Sequence, residues 1–165
     1  GGDEGGSDEG GGSEGGGSEG GGGEGGSTTQ VDLSIFNPAD ILCSIGGNAQ
    51  LAEKILRRFD GASSLATVEA AVAEADVDGV CKAAHSLKGQ LSYLQAHQAS
   101  RSAKALEIEA RAALNAGVER GEDLREHLGA LATALRVEFG RVRANQRALL
   151  ERLNEGMTWH DVCQN

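Results

Sequence analysis

The chain has 165 residues, 39% of them hydrophobic and 3% aromatic, with a formal charge of −10 and one proline. It shows no basic stripe with interleaved aromatics, which argues against nucleic acid, and no apolar run of the ~18 residues that a membrane span needs. Cys43, Cys81 and Cys163 are few, odd in number and widely spaced, a pattern that fits a reducing, cytoplasmic setting better than a disulfide framework.

Residues 1–26 contain only Gly, Ser, Asp and Glu, with 16 glycines and seven acids. Such a segment has no apolar surface to bury and predicts a flexible linker over 1–30, natural or engineered. The 139 residues after position 26 carry 18 acids against 15 bases, a charge of −3. That is the size of a single domain, which we place at 31–154, with 155–165 as a tail.

The first helical signal is Asn37-Pro38, a capping residue followed by a proline suited to the first turn. Ile41, Leu42 and Ile45 follow, and Gly46-Gly47 stops the helix. Asn48 caps the next, in which Leu51, Ile55, Leu56, Phe59, Leu65, Val68 and Val72 keep one stripe. This predicts one helix from 48 to 75, with Gly61 as a kink point. Asp76 caps a third helix running to 95, seamed by Val80, Ala84, Leu87, Leu91 and Leu94 at helical spacing. Ala99, Ala103, Leu106, Ala110 and Ala113 form the seam of the next, which ends at Asn115-Ala116-Gly117. The last begins near Gly121 and carries Leu124, Leu128, Leu131, Leu135, Val142, Leu149 and Leu153 inward. At 1.5 Å per residue it spans about 45–50 Å, so its far end is expected to project beyond its partners. No stretch alternates with period two. The expected fold is all-α: an antiparallel up-down four-helix bundle, with a short additional N-terminal helix over 38–46 lying across one end.

His85, Gly89 and Ser92 fall on the side of the third helix away from its seam, with Lys88 about 60° round from His85. An exposed histidine on a helix is usually only a solvated polar residue. Its neighbours point further. Glycine inside a helix costs ~1 kcal/mol against alanine, and is kept where another backbone or a bulky group must come close. Gly89 therefore reads as part of a docking surface beside His85. A neutral imidazole is a nucleophile near pH 7, and its attack on an acyl phosphate gives a phosphoramidate that can pass the group on. A phosphoryl group brings nearly two negative charges, and Lys88, one turn away, supplies a cation. Cys81, four residues before His85, adds a second metal-ligand type to the helix, but two ligands do not make a site, so no metal and no cofactor is expected. His97, His127 and His160 have no constellation around them. No phosphate-binding glycine loop or ATP-binding signature is present, so no autonomous kinase activity is expected.

Ala84-His85-Ser86-Leu87-Lys88-Gly89 resembles the signature of histidine-containing phosphotransfer (HPt) domains of two-component phosphorelays. The similarity extends over about residues 35–140 and takes in Ile45-Gly46-Gly47-Asn48, Phe59 and Leu106-Glu107. The resemblance implies the same four-helix bundle, with His85 as phosphoacceptor and Lys88 and Gly89 beside it. It places Glu107 where the family often carries a Gln or Glu able to hydrogen-bond the imidazole. The function implied is relay of a phosphoryl group between receiver-domain aspartates through a phosphohistidine. The alternative is the phosphoacceptor domain of a chemotaxis-type histidine kinase. The partners implied are response-regulator receiver domains, which bring the Mg²⁺, and a hybrid sensor histidine kinase; the chain itself is expected to be a monomer. The dimerisation helix of an ordinary histidine kinase fits less well, because Ser86 follows the histidine and the lone proline is Pro38. Gln90, Tyr93 and Gln95 stand where many family members have small residues and a further glycine, which alters the docking face. Gln90 is expected well round the helix from His85.

Overall fold

The computed structural model describes residues 30–117 and 121–164. The linker expected over 1–30 lies, apart from Gln30, outside the described residues. All the regular elements described are helices: α1 (Pro38–Ser44), α2 (Ala49–Arg58), α3 (Gly61–Ala73), α4 (Val77–Tyr93), α5 (His97–Asn115), α6 (Glu122–Asn154) and α7 (Trp159–Gln164). None is long and apolar enough to cross a membrane.

Four of these helices begin as short polar side chains dictate. Asn37, Asn48, Asp60 and Asp76 each accept a hydrogen bond from a backbone N–H of the first turn, at 2.9, 3.0, 3.3 and 2.9 Å. Such caps satisfy donors that the helix itself leaves unpaired.

The helix expected from 48 to 75 is two. Phe59 leaves the helical conformation (φ −64°, ψ 108°) and Asp60 caps a fresh start. The reason lies on α6. Buried Gln146 donates to the carbonyls of Leu56 (2.6 Å) and Phe59 (3.1 Å), and Arg143 donates to Phe59 O at 3.0 Å. The carbonyls freed by the break thus find donors. Gly61 matters through its missing side chain rather than through flexibility. A Cβ there would stand 2.6 Å from the Phe139 ring, which packs on Phe59 with centroids 6.1 Å apart.

α3 packs on α4, α4 on α5, α5 on α6, and α6 back on α3. The seam expected on α4 is the heart of this ring: Val80, Ala84, Leu87, Leu91 and, at the cap, Leu94 are fully buried. The joints within the ring are tight. After α3 and α4 the chain turns through Ala75 and Gln95, both at φ 55°. This is the left-handed region that glycine enters more cheaply.

α6 runs for 33 residues, Glu122 to Asn154, about 50 Å at 1.5 Å per residue. Its far end does not project free, contrary to expectation. α2 and α7 pack on it, and α1 packs on α2 and α7. Asn145, buried in α6, pins the segment before α1, accepting from Asp32 N (2.6 Å) and donating to Asp32 O (3.0 Å). Val31, Phe36, Ile41, Trp159 and Val162 are buried there. The tail expected from 155 onward thus includes a docked helix, whose apolar Trp159 and Val162 hold it down.

Candidate functional site

His85 stands on the exposed side of α4, and its position follows from the seam. With Ala84 and Leu87 fully buried, the side chain between them points outward and is 64% exposed. Glu107 comes from α5, the helix beside it. Its place is unusual for an acid: four residues after Ala103 and three before Ala110, it lies on the apolar stripe of α5 and is 5% exposed. A buried carboxylate must be paired, and three donors converge on this one.

His85 Nδ1 lies 2.9 Å from Glu107 Oε1. Lys88 Nζ donates to Oε2 at 2.6 Å, and Arg111 Nη2 donates to Oε1 at 2.8 Å. The Lys88 ammonium, ahead of the His85 contact and against the opposing effect of burial, holds the Glu107 carboxyl below the usual carboxylate range. Glu107 is therefore an ionised, acceptor-only group near neutral pH. That fixes the imidazole. A carboxylate partner requires the proton on Nδ1, and the Nε2 lone pair is left facing away. Lys88 Nζ also lies 3.4 Å from His85 Nδ1. With Nδ1 protonated, that approach is two donors meeting on one carboxylate rather than a bond between them.

Lys88, 28% exposed at its side chain, is thus engaged by Glu107 and is not a free cation waiting beside the ring. Gly89 lies one turn beyond His85, and a Cβ there would meet nothing within 4 Å. It is open space beside the imidazole, not a packing contact. Gln90 points the other way, donating to Ser64 on α3 at 2.8 Å. With Tyr93, 69% exposed, it borders a cleft also lined by Ile55, Arg58, Phe59 and Asp60.

His85, Lys88, Gly89 and Glu107 are therefore drawn together. The other histidines are not among them: His127 lies 3.6 Å from Glu109, His160 contacts Gln164 at 2.7 Å, and exposed His97 opens α5. Cys81 is buried, its thiol 3.9 Å from the backbone oxygen of Glu107. Among the described residues no group of three or more His, Cys, Asp or Glu is placed to hold a metal ion. Arg111 escaped the sequence reading. Its signal is its spacing, one turn after Glu107, where a cation on the same helix can reach the carboxylate.

The arrangement offers a fixed, solvent-facing imidazole nitrogen with a lone pair, a buried anion behind the ring, two cations on that anion and clear space to one side. A family model described as Hpt domain matches residues 58–138. Among curated proteins and among solved structures, none matches the chain.

Proposed function

Residues 58–138 are an Hpt domain, a module of phosphotransfer in two-component signalling that works with receiver domains, and on that premise we propose that this chain relays a phosphoryl group between receiver aspartates through a phosphohistidine at His85. The observation that carries the proposal is the hydrogen bond of His85 Nδ1 to the buried Glu107 carboxylate, 2.9 Å long.

The Nε2 lone pair attacks the phosphorus of an aspartyl phosphate on the receiver. A P–N bond forms as the P–O bond to the aspartate breaks, and the aspartate leaves with that electron pair as a carboxylate. Nδ1 keeps its proton, so the ring becomes positively charged, and the Glu107 carboxylate lies against that charge. Lys88 turns from Oε2 to the phosphoryl oxygens, which bring nearly two negative charges. Passage to a second aspartate is the same sequence in reverse. Gly89 leaves room for the receiver's loops to reach Nε2, and the receiver carries the Mg²⁺. In this reading α3 to α6 are the antiparallel up-down bundle of the family, and the chain acts in the cytoplasm.

Incubation with a phosphorylated receiver tests the proposal. Acid-labile, alkali-stable label is expected on the wild-type chain and none on His85→Gln, with the melting temperature unchanged because His85 is exposed. Label on His97 or His127, or full acceptance by the variant, overturns it.

A further inference from the structure

The donors on Glu107 are divided unequally. Lys88 has Oε2 to itself, at 2.6 Å, while His85 and Arg111 share Oε1, at 2.9 and 2.8 Å. Two full cations are more than one resting carboxylate needs, since Lys88 alone would secure its charge. The second matters when a phosphoryl group sits on the ring. Its charge competes for the Lys88 ammonium, a compact ion on a flexible stem. Were Lys88 the sole cation besides the ring, its departure would leave the buried acid paired to the phosphorylated imidazole alone, and a buried acid that loses a cationic partner shifts toward its neutral form. A neutral Glu107 would neither hold the Nδ1 proton firmly nor balance the charge that forms on the ring.

The structure assigns Arg111 the task of keeping Glu107 charged and in place while Lys88 serves the phosphoryl group. It is a positioning residue: it bonds Oε1 and acts on His85 through that atom. The inference rests on the phosphoacceptor reading of His85. An exposed pair at this helical spacing is ordinarily weak, but here one partner is buried and shared with the ring. Among the described residues, the charged or titratable side chains bonded to this carboxylate are His85 and Lys88 from α4 and Arg111 from α5 itself. Cys81 of α4 meets only the Glu107 backbone oxygen. α6, also packed on α5, brings His127 to Glu109 instead.

The test reads the His85 ring by ¹⁵N NMR in the unphosphorylated full chain, near pH 8. Lys88→Gln imitates the departed lysine and should keep the Nδ1–H tautomer. Adding Arg111→Gln to it should lower the ratio of Nδ1–H to Nε2–H rings by about five- to tenfold, the size expected for a weakened charge-assisted hydrogen bond. The same change in the wild-type background should do less, and Arg111→Lys beside Lys88→Gln should recover most of the ratio. An equal effect of Arg111→Gln in both backgrounds, or none in either, overturns the inference. Should the double variant fail to fold, the single variants decide by their rate of phosphoryl acceptance from phosphoramidate. Arg111→Gln should be at least ~3-fold slower than wild type, with Arg111→Lys near wild type; equal rates for Gln and Lys overturn it. The NMR measurement needs no phosphoryl donor. Tautomer coupling without labelling therefore strikes only the phosphoacceptor reading, and labelling without coupling strikes only the role of Arg111.

Discussion

Gln146 of α6 reaches the carbonyl of Leu56 at 2.6 Å, across 90 residues of chain and at the point where α2 ends. A buried amide from a distant helix thus serves, together with Arg143, carbonyls freed where α2 ends. Gln146→Leu should destabilise the fold by about 1–3 kcal/mol, because it takes the donor from the Leu56 carbonyl and leaves Phe59 O to Arg143 alone. Denaturant unfolding measures this, and a midpoint equal to wild type would remove Gln146 as the cause of the break at Phe59.

Gly89 should separate stability from function. Gly89→Ala should stabilise the domain by about 0.5–1 kcal/mol, the usual difference between these residues inside a helix, since its methyl would meet nothing within 4 Å. Gly89→Gln should fold at least as well as wild type. Both should slow acceptance from a phosphorylated receiver, Gln more than Ala, while acceptance from phosphoramidate changes far less. Loss of the fold in Gly89→Gln would contradict the open space seen beside His85.

Lys88→Ala should slow transfer and weaken the phosphorylated state without abolishing acceptance, because Nε2 and the carboxylate that holds Nδ1 remain. Timed labelling and the decay of the label measure the two effects. If both match wild type, the ammonium has no part in holding the phosphoryl group.

Glu107 makes stability depend on pH in a defined direction. Its folded-state pKa lies below the ordinary value of 4.5, held there first by Lys88. Folding then favours the ionised form, so its contribution is complete above the unfolded pKa. It is lost as pH falls through the lower, folded value. Glu107→Gln should therefore flatten the part of the acid unfolding curve below about pH 4.5. A variant whose stability falls as steeply as wild type's would show that other carboxylates govern that limb.

The seam of α4 was legible because Val80, Ala84, Leu87, Leu91 and Leu94 repeat at helical spacing in a chain with almost no competing pattern. The same periodicity misled at Phe59. Apolar spacing persists across the break, and the donors that stabilise the break, Arg143 and Gln146, lie more than 80 residues away. The resemblance points to Glu107, although its burial was there to read: it is the acid on the stripe of Ala103, Leu106 and Ala110. The helical wheel puts Lys88 one turn from His85, but it gives direction without partner, so its bond to Glu107 needed the packing of α4 on α5. The docked far end was hidden for a different reason. Its core joins Val31 and Phe36 to Trp159 and Val162, residues more than 120 positions apart, and no local period links them.

α6 runs through two parts of one core. Near its start Leu128, Ala132 and Leu135 face the ring of α3, α4 and α5; further on, Val142, Asn145, Gln146 and Leu149 face α2, α7 and the segment before α1. The Hpt match ends at 138, in the middle of this helix and just before Phe139. A helix propagates order far more readily than it starts it, so both parts of the core draw on one continuous rod. Amide exchange along α6 should then report a single opening event spanning both layers instead of two, and the additional helices set how rarely the support beneath α5, and with it Glu107, comes loose.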